Sequence, residues 1–206
     1  MGPAAAHPPA GSVGAAPSRT ILVASSAGGL NALLVLLPAL PRDFPASVIC
    51  VQHMHPHQPS FLVQILARRC VLPVEFVEPG STPLAGHILV APPGRHVMVG
   101  ADGRLELGDA PPVNHVRPSA DLLFSSAAAV MGKGTVAVVL TGTGHDGAAG
   151  AAAVCEAGGT VVVQSPADCE FPGMVEATME LVEPDLVLPI AQIAPALERM
   201  AAEAAA

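Results

Sequence analysis

Thr20-Ile21-Leu22-Val23-Ala24-Ser25-Ser26-Ala27-Gly28-Gly29 is the stretch whose reading decides the fold. An apolar, β-prone run ends in two serines. One small residue, two glycines and a Leu/Ala-rich segment follow. A buried strand that turns at once into a helix is the unit of an α/β sheet. Small neighbours let the backbone fold tightly under a hydroxyl at Ser26. The glycines leave amide N–H groups free at a helix N-terminus, where negative charge is favoured. That is the layout of a nucleophile elbow, in which a hydroxyl attacks and nearby amides hold the oxyanion. The plainer alternative is that Ser26 only caps the first helix.

Outward from this stretch the same alternation repeats. Strands are expected at Thr20–Ser25, Ser47–Val51, Pro73–Val77, Thr135–Thr141, Thr160–Gln164 and Leu186–Leu188. Helices are expected at Asn31–Leu40, Ser60–Arg69 with Ser60 as N-cap, Ser119–Val130 with Ser119 as N-cap, Pro172–Leu181 and Ile193–Ala206. A Gly/Ala-rich helix follows Gly147. Between residues 86 and 107 three short β-prone runs are broken by Pro-Gly and by Asp102-Gly103, a hairpin signal. The fold class is therefore α/β: a doubly wound, mostly parallel sheet with helices on both faces and an antiparallel hairpin insertion. Residues 1–18, mostly Ala, Gly, Pro and Ser, are expected to form a tail without fixed structure, and residues 19–206 a single domain.

Composition narrows the function. A net charge of −8 with nine Lys and Arg, and no Trp or Tyr, argues against nucleic acid, which needs a basic surface and stacking rings. No apolar run reaches the ~20 residues of a membrane span, and no secretory signal opens the chain. Cys50, Cys70, Cys155 and Cys169 form no CxxC pair and read as buried free thiols. A cytoplasmic location is expected.

In an open parallel sheet, ligands bind outside the carboxyl ends of the strands. Three loops stand there: the one at Ser26, Gln52-His53-Met54-His55-Pro56-His57, and Thr141-Gly142-Thr143-Gly144-His145-Asp146-Gly147. Together they offer a hydroxyl, an imidazole and a carboxylate, the parts of a Ser-His-Asp site. His53 alone reads as a loop histidine, and Asp146 alone as a turn or cap residue. Gly142-x-Gly144-x-x-Gly147 is a literal dinucleotide fingerprint, but Asp146 would set a carboxylate against the pyrophosphate and Gln164 stands where an acid should hold the ribose. His53-x-His55-x-His57 could bind zinc, but Pro56 interrupts it. No cofactor and no metal are expected.

Six stretches in order extend this reading: Ala24–Gly29, Val51-Gln52-His53-Met54, Ala91-Pro92-Pro93-Gly94-Arg95-His96, Pro111-Pro112-Val113-Asn114, Arg117-Pro118-Ser119-Ala120-Asp121 and Leu140–Gly147. In them the chain resembles the catalytic domain of the CheB-type chemotaxis protein-glutamate methylesterases over roughly residues 20–190. The resemblance implies Ser26 as nucleophile, His53 as general base and then acid, and Asp146 as orienting carboxylate. Ala27, Gly28 and Thr143 would surround the oxyanion. The implied reaction is hydrolysis of glutamate methyl esters on chemoreceptor-like proteins, with related deamidation of glutamines. The family's pattern usually has Gly at position 24, Thr at 27 and Met at 143. Its members usually carry a receiver domain and linker, for which residues 1–18 are too short, so control by phosphorylation in cis is not expected. The competing reading from another class is a catalytically idle module that binds a partner in the same sheet-end pocket.

Overall fold

The computed structural model describes residue 17, residues 19–56 and residues 58–205. The expected tail thus lies, Pro17 apart, outside the described residues, as does His57. Seven strands form one sheet in the order β3-β4-β2-β1-β7-β8-β9: β1 (Thr20–Ser25), β2 (Ser47–Gln52), β3 (Val74–Phe76), β4 (Ile88–Val90), β7 (Thr135–Val139), β8 (Thr160–Gln164) and β9 (Leu186–Leu188). Every pairing in it is parallel. The remaining strands, β5 (His96–Val99) and β6 (Leu105–Gly108), pair antiparallel as a separate hairpin.

Alternate residues of the central strands feed two cores. Ile21, Val23, Val48, Cys50, Val136 and Val138 pack under α1 (Gly29–Leu36), α2 (Leu62–Ala67) and α6 (Ile190–Ala205). Leu22, Ala24, Ile49, Val51, Ala137 and Val139 pack under α3 (Ala120–Met131), α4 (Ala148–Glu156), α5 (Gly173–Leu181) and the hairpin. Runs of Val, Ile and Leu, apolar on both faces, are what a strand covered on both sides requires. Phe44 and Phe124, each at most 1% exposed, anchor the two cores. Truncating either to Ala should cost ~3–5 kcal/mol.

Helix ends depart from the sequence reading where distant groups set them. Helix α1 begins at Gly29 and tightens into a 3-10 turn at Leu37–Ala39. Helix α2 is shorter than expected: Phe61 is its N-cap, and the Ser60 hydroxyl accepts from Leu62 N–H at 3.2 Å. Helix α6 starts three residues early, at Ile190, because the Asp168 carboxylate accepts the Ile190 N–H at 2.7 Å. An orphan donor at a helix start needs an acceptor. Here it comes from 22 residues away in sequence, beyond the reach of a local signal. Strand β7 ends at Val139, two residues short of the expectation.

The cysteine expectation holds only in part. Cys50 is buried, Cys70 and Cys169 are half-buried, and Cys155 is exposed; all four are free. Burial pushes Cys70 and Cys169 up to about 11 and Cys50 higher still. Among the described residues, no helix is long and apolar enough to cross a membrane.

Candidate active site

Strand β1 lies at the centre, with β2 on one side and β7 on the other. The chain therefore leaves three neighbouring strands at the same carboxyl edge, which is where the three loops were expected. Ser25 pairs with Gln52, so Ser26 and His53 are the first residues past two adjacent strands. His53 N–H donates to Ser25 O at 3.0 Å, and Ser26 N–H donates to Thr141 O at 3.1 Å. The Gln52 amide donates to Ser26 O at 2.8 Å and to His53 O at 3.0 Å. The Ser25 hydroxyl in turn donates to Gln52 Oε1 at 2.7 Å. Ser25 is fully buried, so its side chain locks the turn from beneath while Ser26 stays half-buried above it. Gly28, not Ser26, is the N-cap of α1, at φ +73. A Cβ on Gly28 would stand 2.9 Å from the Glu170 side chain and would strain the left-handed backbone. Among the described residues the Ser26 hydroxyl has no hydrogen-bond partner.

His53 and Asp146 meet directly, Nε2 to Oδ2 at 2.8 Å, with the two side chains 11% and 3% exposed. The carboxylate can only accept, so Nε2 carries the proton and donates it. The free lone pair of the ring is then on Nδ1. Asp146 also accepts the Ser119 hydroxyl at 2.6 Å and the amides of Ala120 at 2.6 Å and Asp121 at 3.2 Å. Those amides are the N-terminus of α3. Asp146 thus caps a helix that is not its own; Ser119 is the N-cap residue of α3, as expected, but its hydroxyl donates to Asp146 and accepts no amide of the helix. Burial by itself would raise the Asp146 carboxyl. The hydrogen bonds from His53, Ser119 and Ala120 outweigh it and hold the group below the usual carboxylate range.

The loop that carries Asp146 is fastened by the converse arrangement. Asp121 Oδ1 accepts Gly147 N–H at 2.9 Å and Gly150 N–H at 2.8 Å at the start of α4, and Oδ2 accepts from Asn114 at 3.0 Å. The two helices can approach this closely because Gly150 has no side chain. A Cβ there would sit 2.6 Å from Phe124 Cβ. Burial pushes the Asp121 carboxyl up. The Gly150 amide opposes this, the charge of Asp146 adds to it, and the Gly147 amide opposes it. His96 completes the support: its buried ring accepts Ser119 N–H on Nδ1 at 3.2 Å and meets Pro111 O through Nε2 at 3.2 Å.

These contacts occupy the amides that a dinucleotide pyrophosphate would need. Gly147 donates to Asp121, and Gly142 donates to Phe171 O at 2.8 Å. The glycine fingerprint is structural. Among the described residues no group of three His, Cys, Asp and Glu side chains is placed to hold a metal ion.

Of the expected oxyanion residues, Ala27 and Gly28 are half-buried at the elbow and Thr143 is exposed on the β7 loop. The amides of all three donate to no acceptor among the described residues. Ala24 fits where a glycine was usual because Gly147 faces it; a Cβ on Gly147 would lie 3.4 Å from the Ala24 methyl. Gln52, Asp121 and Asn114 stand in the motifs without a task in the sequence reading, and Ser119 is expected there only as a helix cap. Their signal was residue type and motif order; their partners lie 7 to 29 positions away, apart from the neighbouring His53 carbonyl. Two clefts flank Met54, and the smaller also has His53 in its wall. One, of about 370 Å³, has Leu30, Gln52 and Phe61 in its wall. The other, of about 200 Å³, has His115 and Arg117.

Residues 21–197 match the family model described as CheB methylesterase. A protein-glutamate methylesterase/protein-glutamine glutaminase of Symbiobacterium thermophilum is 40% identical over 187 residues, which is 91% of this chain and 52% of that protein. The protein of the same description from Salmonella typhimurium is 36% identical over 178 residues, 85% of this chain and 51% of that one. The chain spans about half the length of the curated relatives it matches. The crystal structure of the Thermotoga maritima CheB methylesterase catalytic domain is similar with a TM-score of 0.85 at 34% identity, covering 88% of this chain and 98% of that one.

Proposed function

This chain belongs to the CheB methylesterase family, and on that premise we propose that it is a cytoplasmic serine hydrolase acting on glutamate methyl esters of chemoreceptor-like proteins, with related deamidation of glutamines. The observation that carries the reading is the His53–Asp146 contact at 2.8 Å, on the strand end next to Ser26, whose hydroxyl has no hydrogen-bond partner among the described residues. Ser26 Oγ attacks the ester carbonyl while His53 Nδ1 takes its proton, and Asp146 stabilises the imidazolium through Nε2–H. The amides of Ala27, Gly28 and Thr143 receive the oxyanion. Collapse breaks the C–O bond to the methoxy group, which leaves as methanol with the proton from His53. Water, deprotonated by the same ring, then hydrolyses the glutamyl ester on Ser26. This frees the glutamate carboxylate and returns the proton to the serine. For a glutamine the leaving group is ammonia and the remaining steps are the same. No step calls on a cofactor.

The test is methanol release from methylated receptor fragments. Ser26→Ala should lower turnover by roughly 10⁴–10⁶. Substantial methanol release by that variant would remove Ser26 as nucleophile, and none by the wild type would favour a binding module.

A further inference from the structure

The segment from Pro111 to Arg117 takes no part in the chemistry above, yet its backbone is held in an unusual form. Val113 and Val116 exchange backbone hydrogen bonds at 3.1 and 2.9 Å, and Asn114 and His115 between them lie at φ +50 and +66. A two-residue turn with both residues left-handed is the hairpin turn that favours Asn and Gly. A non-glycine residue at positive φ is uncommon, and Asn and His are among those that adopt it most readily. The turn is pinned by Asn114 donating to Asp121, on the helix whose N-terminus Asp146 caps. It leaves His115 exposed at the lip of the 200 Å³ cleft, whose wall includes His53, Met54, Pro56, Pro112 and Arg117.

The charge in this cleft runs against the composition. The chain carries a net charge of −8, yet among the described residues no carboxylate lines the cleft. Arg117 is anchored through Nη1 to two neutral carbonyls, Asp109 O at 3.0 Å and Ala110 O at 2.9 Å. The nearby Asp109 carboxylate is paired with Arg95 instead. Among the described residues Arg117 has no ion pair, and its Nε is shielded from solvent without a hydrogen-bond partner. A guanidinium fixed by neutral acceptors keeps its full charge for a ligand, and with Nη1 held by the two carbonyls and Nε shielded, Nη2 is left to donate to a carboxylate.

We propose that this cleft is a specificity subsite that receives a free carboxylate of the substrate polypeptide, with Arg117 and His115 as the recognising groups and the scissile ester next door at Ser26. The subsite rests on the hydrolase reading. A polypeptide whose glutamates are esterified in part presents free glutamates of the same length beside the ester, and the cleft opens directly from His53, where the ester must lie.

Two synthetic peptides test it, each with one glutamyl γ-methyl ester, one with glutamates at the neighbouring positions and the other with alanines. The wild-type chain should favour the acidic peptide in kcat/KM by about tenfold, the size of one charge-assisted hydrogen bond. The preference should shrink as salt is raised. Arg117→Met should bring it close to unity. His115→Asn, which keeps a side chain tolerant of positive φ at an exposed position, should reduce it without disturbing the fold. Equal wild-type rates on the two peptides, or a preference that survives both substitutions, would overturn the subsite alone. Absence of methanol from both peptides would overturn the hydrolase reading beneath it.

Discussion

The N-termini of α3 and α4 are built alike and behave differently. Each is capped by a buried aspartate from the other's segment: Asp146 sits on α3 and Asp121 on α4. Both carboxylates accept backbone amides, and both are at least 92% out of solvent (2% and 8% exposed). Yet Asp146 is held below the usual carboxylate range and Asp121 is pushed above it. Burial acts alike on the two. The difference comes from their remaining partners, because Asp146 adds hydrogen bonds from the His53 ring and the Ser119 hydroxyl, while Asp121 adds the Asn114 amide and a weaker attraction from His145 and faces the charge of Asp146. Capping geometry alone therefore does not make a carboxylate fit to stabilise an imidazolium. A dedicated set of donors does, and only one end of the pair has it.

Exchanging each carboxyl for an amide is the severest way to break the comparison. Asp146→Asn should lower turnover by roughly 10³–10⁴, through loss of ring orientation and imidazolium stabilisation. Asp121→Asn keeps an acceptor for the Gly147 and Gly150 amides and should cost about tenfold or less, on the scale of one capping interaction of ~1 kcal/mol. Equal losses in methanol-release assays would mean that both act only as caps.

Stability against pH sharpens the same contrast. The Asp146 pKa is lowered on folding, so its contribution is present above the unfolded value of ~3.9 and is lost as pH falls through the folded value. The Asp121 pKa is raised on folding, so its contribution is present below ~3.9 and is lost as pH rises through the folded value. Denaturant midpoints from pH 3 to 7 should show the cost of Asp146→Asn growing with pH and that of Asp121→Asn shrinking. Parallel curves would refute the opposed shifts.

Two smaller effects test the supports. Ser119→Ala removes the 2.6 Å donor to Asp146 and should lower turnover by roughly tenfold, as expected for a hydroxyl-to-carboxylate bond of ~1.5–3 kcal/mol only partly used in the transition state. An unchanged rate would assign Ser119 to folding alone. Ser25→Ala breaks the lock on Gln52 but leaves that amide's bonds to Ser26 O and His53 O. It should cost less than about tenfold, and a serine-directed fluorophosphonate should still label Ser26. Labelling that follows Ser25 would shift the elbow by one residue.

Strand β1 was legible residue for residue, because an unbroken apolar run bounded by Arg19 and the glycines leaves one register. The three candidate residues were legible as the first loop residues past strands, or near them. Helix starts were not legible in the same way. Ser60 and Ser119 looked like caps by type, yet one bonds a single amide from outside the helix and the other gives its hydroxyl to Asp146. Asp168, Asp146 and Asp121, none of them at the helix start it serves, supply the acceptors for α6, α3 and α4.

By itself the sequence determined the α/β alternation, the pair of apolar cores and the small-residue elbow at Ser26, since these follow from periodicity and local sterics. Only the tertiary structure decided that β2 and β7 flank β1, which of two similar aspartates meets His53, and that Nε2 is the nitrogen turned toward it. A carboxylate's task depends on which distant donors the fold brings to it, and no local pattern around Asp146 or Asp121 encodes that.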